Sequence, residues 1–364
     1  MRLDLVPRPE PSGRMALLSP VIATVLTLAI GAALFLVLGV DPARGLYVYF
    51  VEPLTAGWSL VELVVKAAPL ALIAVGLALC FRANVWNIGA EGQFTIGAVC
   101  GSAIPVLLPD WQSPAVLPLM LLLGLLGGAL YGAVPAVLKN RFGASEILTS
   151  LMLTYVALLL LDWLVRGPWR DPGSYNFPES VLFSSAATMP VMGEGSRLHW
   201  GVLFAPLAAL LAYLRLGTSV QGFAIKVTGA APRAARFSGF SGGAVTLGVF
   251  VVSGALAGLA GIVEVAGTIG QLRPTISPGY GFAAIIVAFV GRLHPLGILV
   301  AALLLALTYL GGEGAQVTLG LSANVTRLFQ GLLLVILLGC DTLIAYRIRF
   351  ERRGRPAAGE ASRG

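Results

Sequence analysis

The residues best able to do chemistry lie in residues 81–98, FRANVWNIGAEGQFTIGA. Asn84, Asn87, Glu91 and Gln93 crowd together there, punctuated by Gly89, Gly92 and Gly97. Amides and a carboxylate so spaced can bind a polar solute, carry a proton or tie helices together. Glu91 reads either as part of a solute path or as the partner of nearby Arg82. A second group lies in GASEILTSLMLTY, which carries Glu146, Thr149, Ser150 and Thr154. Ser150 and Thr154 are four apart and share a helix face. That face either lines a polar path or hydrogen-bonds a neighbouring helix. Ser145 reads as an N-cap and Glu146 as a carboxylate at a helix start, which the dipole favours. Glu264 precedes a Gly- and Pro-rich loop, residues 267–282, that ends with Tyr280 and Phe282. The glutamate reads as a proton carrier or as a water-exposed helix end, and the loop as a re-entrant segment.

Several other chemistries lack raw material. The two histidines, His199 and His294, and the three cysteines, Cys80, Cys100 and Cys340, are far apart. No metal-ligand spacing, disulfide framework or Ser-His-Asp set follows from them. A P-loop needs Gly-Lys-Ser/Thr, yet the lysines follow Val65, Leu138 and Ile225. The chain is therefore expected to be no enzyme and to bind neither cofactor nor metal itself.

The elements that must position these residues are membrane helices. Of 364 residues, 57% are hydrophobic and 11% charged, and mean hydropathy is +0.88. A soluble domain carries about 25% charged residues. Long unbroken apolar runs exclude a membrane β-barrel, leaving an all-α polytopic membrane protein. Ten spans are expected, at about 15–40, 59–81, 88–108, 114–138, 146–165, 199–216, 242–265, 280–290, 295–311 and 326–346. With both termini cytoplasmic, most of the 24 basic residues fall inside, as the positive-inside rule asks. The net charge of +7 then reflects topology rather than nucleic acid. The first span is too long for a cleaved signal peptide. The expected organisation is a cytoplasmic segment 1–14, a transmembrane domain 15–346 and a basic cytoplasmic tail 347–364. Asp162, Glu313 and Asp341 read as interfacial. GxxxG spacings at Gly124/Gly128, Gly128/Gly132 and Gly254/Gly258 suit close helix packing within the chain or a dimer seam.

NIGAEGQ at 87–93 resembles the signature of permease subunits of bacterial ATP-binding-cassette importers. The relevant superfamily handles branched-chain amino acids, ribose and simple sugars, and the subgroup simple sugars and nucleosides. SEILTSLMLTYVA (145–157), GAAPRAARFSG (229–239), GIVEVAG (261–267) and SPGYGFAAIIVAFVGRLHPLG (277–297) are similar to further family blocks. Thr154 departs from the family's usual Asn, and Ala231 from an Asn common before Pro.

The resemblance implies an alternating-access path in the bacterial cytoplasmic (inner) membrane. Asn87, Glu91, Gln93, Ser150, Thr154, Tyr280 and Phe282 are its candidate lining. A coupling loop at about 220–240, through Gly229, Pro232, Arg233, Ala234, Ala235 and Arg236, would dock on a separate ATPase that holds ATP and Mg. A second homologous permease and a periplasmic or lipoprotein substrate-binding protein complete the expected assembly, surrounded by membrane lipid. The binding protein would dock on the outer loops, including 167–198. The substrate class is nucleosides or simple sugars. The rival reading is an ion-coupled secondary transporter of a small polar solute, with Glu91, Glu146 or Glu264 as proton carrier.

Overall fold

A computed structural model describes residues 2–7, 13–193, 195–322 and 346–351, with parts of 324–340. Its elements in chain order are β1 (Arg2–Pro7), α1 (Gly13–Val37), α2 (Pro42–Leu46), α3 (Glu52–Thr55), α4 (Gly57–Arg82), α5 (Ala90–Leu107), α6 (Val116–Phe142), α7 (Glu146–Arg166), α8 (Phe204–Thr218), α9 (Val220–Ala230), α10 (Pro232–Phe237), α11 (Gly242–Glu264), α12 (Tyr280–Val290), α13 (Pro295–Leu319) and β2 (Tyr346–Glu351). Six helical stretches are long and apolar enough to cross a membrane: α4, α6, α7, Trp200–Thr218, Gly242–Ile269 and α13. Val25–Val37 and Tyr280–Val290 are shorter apolar helices. The expected span 326–346 lies largely outside the described residues, as does Asp341.

The described chain forms two compact units, Phe50–Gly311 and a second made of Met1–Tyr49 with Gly312–Gly364. In the larger unit, helix starts follow local chemistry. Ser145, Ser219 and Ser241 precede α7, α9 and α11, and their hydroxyls accept N–H groups of Leu148, Gly222 and Ala244. These bonds satisfy donors the helix itself cannot. Gly143, at φ 67°, closes α6 in the left-handed region.

The larger unit is held by close backbone packing. A Cβ on Gly97 of α5 would lie 2.1 Å from the Cα of Gly258 on α11. One on Gly128 of α6 would lie 2.2 Å from the Gly254 carbonyl oxygen. The GxxxG spacings thus form a seam within the chain, where absent side chains let α5, α6 and α11 touch. The outer surface is apolar, with Leu130 and Leu159 both 70% exposed. Polar groups inside and leucine outside is the distribution that a hydrocarbon solvent selects.

In the smaller unit, Phe35, Tyr49 and Phe329 pack together, with Tyr49 and Phe329 centroids 4.5 Å apart. One short pair of strands accompanies the helices here. Arg2–Pro7 pairs antiparallel with Tyr346–Glu351, Arg2 opposite Glu351. RLDLVP and YRIRFE alternate polar and apolar residues, a period of two that suits a strand better than a helix. Between the expected spans 15–40 and 59–81, α2, a π-helical turn (Tyr47–Val51) and α3 form. Asp41 accepts from the Ala43 N–H at 3.2 Å and Pro42 opens α2, a favourable start sequence.

Candidate functional site

The stretch 81–98 divides between two helices and the unwound link joining them. Asn84, at φ 55°, ends α4 rather than starting α5. The Asn84 N–H donates to Phe81 O and the Val85 N–H to Cys80 O, both at 3.0 Å. That is the Schellman arrangement, which needs a left-handed residue and tolerates Asn. Arg82 does not meet Glu91; its Nε donates to the Leu293 carbonyl at 2.9 Å.

Beyond Asn84 the polar side chains turn inward and satisfy one another. Asn87 is fully buried. Its amide donates to Gln93 Oε1 at 2.9 Å and to Ser253 Oγ on α11 at 3.0 Å. Its oxygen accepts from the Gly89 N–H at 3.0 Å and from Gln93 Nε2 at 3.1 Å. Such reciprocal bonding is what burial of an amide pair demands.

α7 clamps the same link. The Ile88 N–H donates to Ser150 Oγ at 3.2 Å. A Cβ on Gly89 would reach Ser150 O at 2.7 Å, and one on Gly92 would reach Thr154 Cα at 2.7 Å. The two glycines therefore let the start of α5 lie directly against α7. Thr154 itself donates back to Ser150 O at 3.2 Å. Glu146 pairs with Lys139 and accepts from the Trp86 backbone, so it joins the ends of α6, α7 and the α4–α5 link.

Glu91 is buried and serves α12. Its Oε2 accepts from the Gly281 N–H at 2.6 Å, and it bonds to Ser277. Ser277 Oγ also accepts from Gly279 and Tyr280. A carboxylate and a hydroxyl thereby take up the free N–H groups of a helix start. Glu91→Gln keeps an oxygen acceptor for Gly281. Its thermal unfolding in detergent is expected to stay near wild type, whereas Glu91→Ala should lose about 1–3 kcal/mol. Equal losses in both variants would show that the charge, not the acceptor, is what the site requires.

The structure thus brings Asn87, Glu91, Gln93, Ser150 and Thr154 into one buried region, each 3% exposed or less. Tyr280 is buried too, edge-on to Phe94 and Tyr309, whereas Phe282 is 39% exposed. Ser253 and Ser277 are the partners that sequence reasoning missed. Ser253 was legible as a lone hydroxyl within an apolar run, and Ser277 as the Ser of SPG before a helix.

Glu264 is not the water-exposed helix end that was one expectation. It is 8% exposed, with Lys66, Arg197 and Glu62 as its charged neighbours. The helix continues past it through a π-helical turn, Val265–Ile269, which carries it away from an end. The turn and the loop after it pair with the long 167–198 loop. The Ser180 N–H donates to Leu272 O, the Phe183 N–H to Gly270 O and the Met189 N–H to Ala266 O. Asp162 pairs with Arg166 on the surface.

The expected coupling loop is two helices, α9 and α10. Gly229 packs within the chain, since a Cβ there would lie 2.0 Å from the Arg82 carbonyl. Ala235 is buried, whereas Pro232, Arg233, Ala234 and Arg236 are exposed. Phe237, which the sequence reading did not single out, is 93% exposed.

A family model described as branched-chain amino acid transport system / permease component matches residues 59–338. The glucose ABC transporter permease protein TsgB13 of Haloferax volcanii is 38% identical, over 100% of this chain and 98% of its own length. The nucleoside ABC transporter permease protein NupB of Lactococcus lactis is 29% identical, over 82% and 84%. The guanosine ABC transporter permease protein NupP of Bacillus subtilis is 28% identical, over 92% and 95%.

Proposed function

This chain belongs to the branched-chain amino acid transport system permease family, and from that premise we propose that it moves a simple sugar or nucleoside across the membrane. It is a permease subunit of an ATP-binding-cassette importer. The observation that carries the substrate reading is the end-to-end likeness to a glucose permease, beside likenesses to nucleoside and guanosine permeases.

Ten crossings put both termini in the cytoplasm of a bacterial cell with the chain in its inner membrane. The pairing of Arg2–Pro7 with Tyr346–Glu351 supports an even number. A separate ATPase holds ATP and Mg, a second homologous permease completes the path, and a substrate-binding protein delivers the solute to the outer loops. Asn87, held by Gln93, and Glu91 brace the helices that move, since Asn87 reaches α11 and Glu91 reaches α12. An ion-coupled carrier is not favoured, because the relatives of this chain are permeases of ABC transporters.

The exposed side of α10 is the ATPase contact, with Arg233, Arg236 and Phe237 outermost. Gly229 acts one step back by seating α9 on the end of α4. Arg236→Glu combined with Phe237→Ala is expected to leave thermal unfolding unchanged and to cut substrate-stimulated ATPase activity at least about tenfold, the effect of roughly 1.4 kcal/mol of lost docking energy. Gly229→Val should lower both unfolding temperature and activity. Full stimulation in the double variant would remove α10 from the interface.

The reading is tested by reconstituting the chain with its ATPase, companion permease and binding protein in liposomes. Uptake of labelled glucose or guanosine should require ATP and the ATPase. Uptake driven by an ion gradient through this chain alone would overturn it.

A further inference from the structure

A cavity of about 920 Å³ lies between α4, α8, α9 and α11, apart from the buried polar region and from α10's exposed side. Its lining is graded. The polar side chains along it are Arg215, Ser219, Gln221 and Ser241. All four sit at one end, where α8 stops and α9 and α11 begin. The rest of the wall is apolar, including Leu207 and Leu211 from α8 and Val252 and Leu256 from α11. Among the described residues no carboxylate lines it. From Phe204 to Ser219 the cavity follows α8 for about 22 Å at 1.5 Å per residue. That is about the depth of one leaflet, half of a bilayer some 40–45 Å thick with its headgroups.

The single cation at the polar end has donors to spare. Arg215 gives one N–H to the neutral Gln221 oxygen, at 2.8 Å, and forms no ion pair among the described residues. A guanidinium carries five donors and matches a phosphate bidentately. A long apolar slot with one cation at its mouth fits an amphiphile with an anionic head.

We propose that this groove binds one anionic phospholipid, with its phosphate at Arg215 and its acyl chains along α8 and α11. The hydrocarbon fills space that water cannot enter favourably, and the head charge meets an arginine with no counter-ion among the described residues. A zwitterionic lipid fills the same slot but forfeits the net attraction, worth about a fivefold preference for one arginine near a membrane surface.

The test uses the purified full-length chain in nanodiscs of mixed phosphatidylcholine and phosphatidylglycerol, with retained lipid counted by native mass spectrometry. Phosphatidylglycerol should be retained over phosphatidylcholine by about fivefold. Arg215→Gln should bring the two near parity while lipid is still held. Gly248 lines the cavity and a Cβ there meets no atom within 4 Å. Gly248→Phe should therefore fill the slot without a backbone clash and release both lipids. Equal retention by wild type and both variants would overturn the site. So would a Leu211→Cys cross-link to a second copy at high yield, which would make the occupant a protein. Neither readout involves transport, so the result stands or falls independently of the substrate reading.

Discussion

Replacing Asn87 with leucine is expected to cost at least about 3 kcal/mol of stability, because three buried groups lose partners at about 1–3 kcal/mol each. Those groups are the Gln93 amide, the Ser253 hydroxyl and the Gly89 N–H. Leucine has similar bulk but neither donor nor acceptor, so the loss is polar rather than steric. The position is shut off from bulk solvent, since Asn87 and Ser253 are fully buried and Gln93 is 1% exposed. The measurement is denaturant unfolding in mixed micelles, followed by circular dichroism. A loss of about 0.6 kcal/mol, the average for one interhelical bond in a membrane protein, would show that the network does not act as a unit. Transport should fall with stability, because Asn87 ties the start of α5 to α11.

Gly258→Leu should be more damaging still. A Cβ at Gly258 would come within 2.3 Å of the Gly124 carbonyl oxygen and 2.8 Å of the Gly128 Cα. Both are backbone atoms, so no rotamer change relieves the clash and α6 must move as a body. Overpacking a well-packed core costs about 1–3 kcal/mol; displacing backbone across this seam should exceed that range and abolish monodisperse protein. Gly248→Leu is the matched control on the same helix, with no atom within 4 Å of its Cβ position. It should be recovered at wild-type yield. Comparable yields of folded Gly258→Leu would mean that the seam opens without cost.

Much of the helical scaffold was legible because its signals are local. Apolar runs of membrane length, serines before α7, α9 and α11, and the Gly–Arg–Leu–His turn that separates α12 from α13 all act within a few residues. The strand pairing of the termini was harder to see. Its alternation is brief and depends on a partner hundreds of residues away. At 42–46 a proline, a breaker in a helix interior, opens a helix after Asp41.

The functional residues were found as types but not as an arrangement. Glu146 was read correctly as a residue of a helix start, since capping is local. Of the two readings of Glu264, the water-exposed helix end fails, because a π-helical turn extends the helix past it and no local pattern announces such a turn. Gly229, a candidate coupling residue, has a missing side chain that makes room for Arg82 of this same chain. Small residues signal close approach without saying what approaches.

By itself the sequence determined that this is a helical membrane protein with a polar, glycine-broken segment at 81–98 and no nucleotide-binding loop. Composition, hydropathy and spacing are properties of the chain alone. Only the tertiary structure decided that Asn87, Gln93 and Glu91 satisfy partners within the protein, because Ser253 and Gly281 stand 166 and 190 residues further along. A buried amide or carboxylate must find a partner, but which one depends on the helices that close packing at Gly97, Gly128 and Gly258 sets side by side.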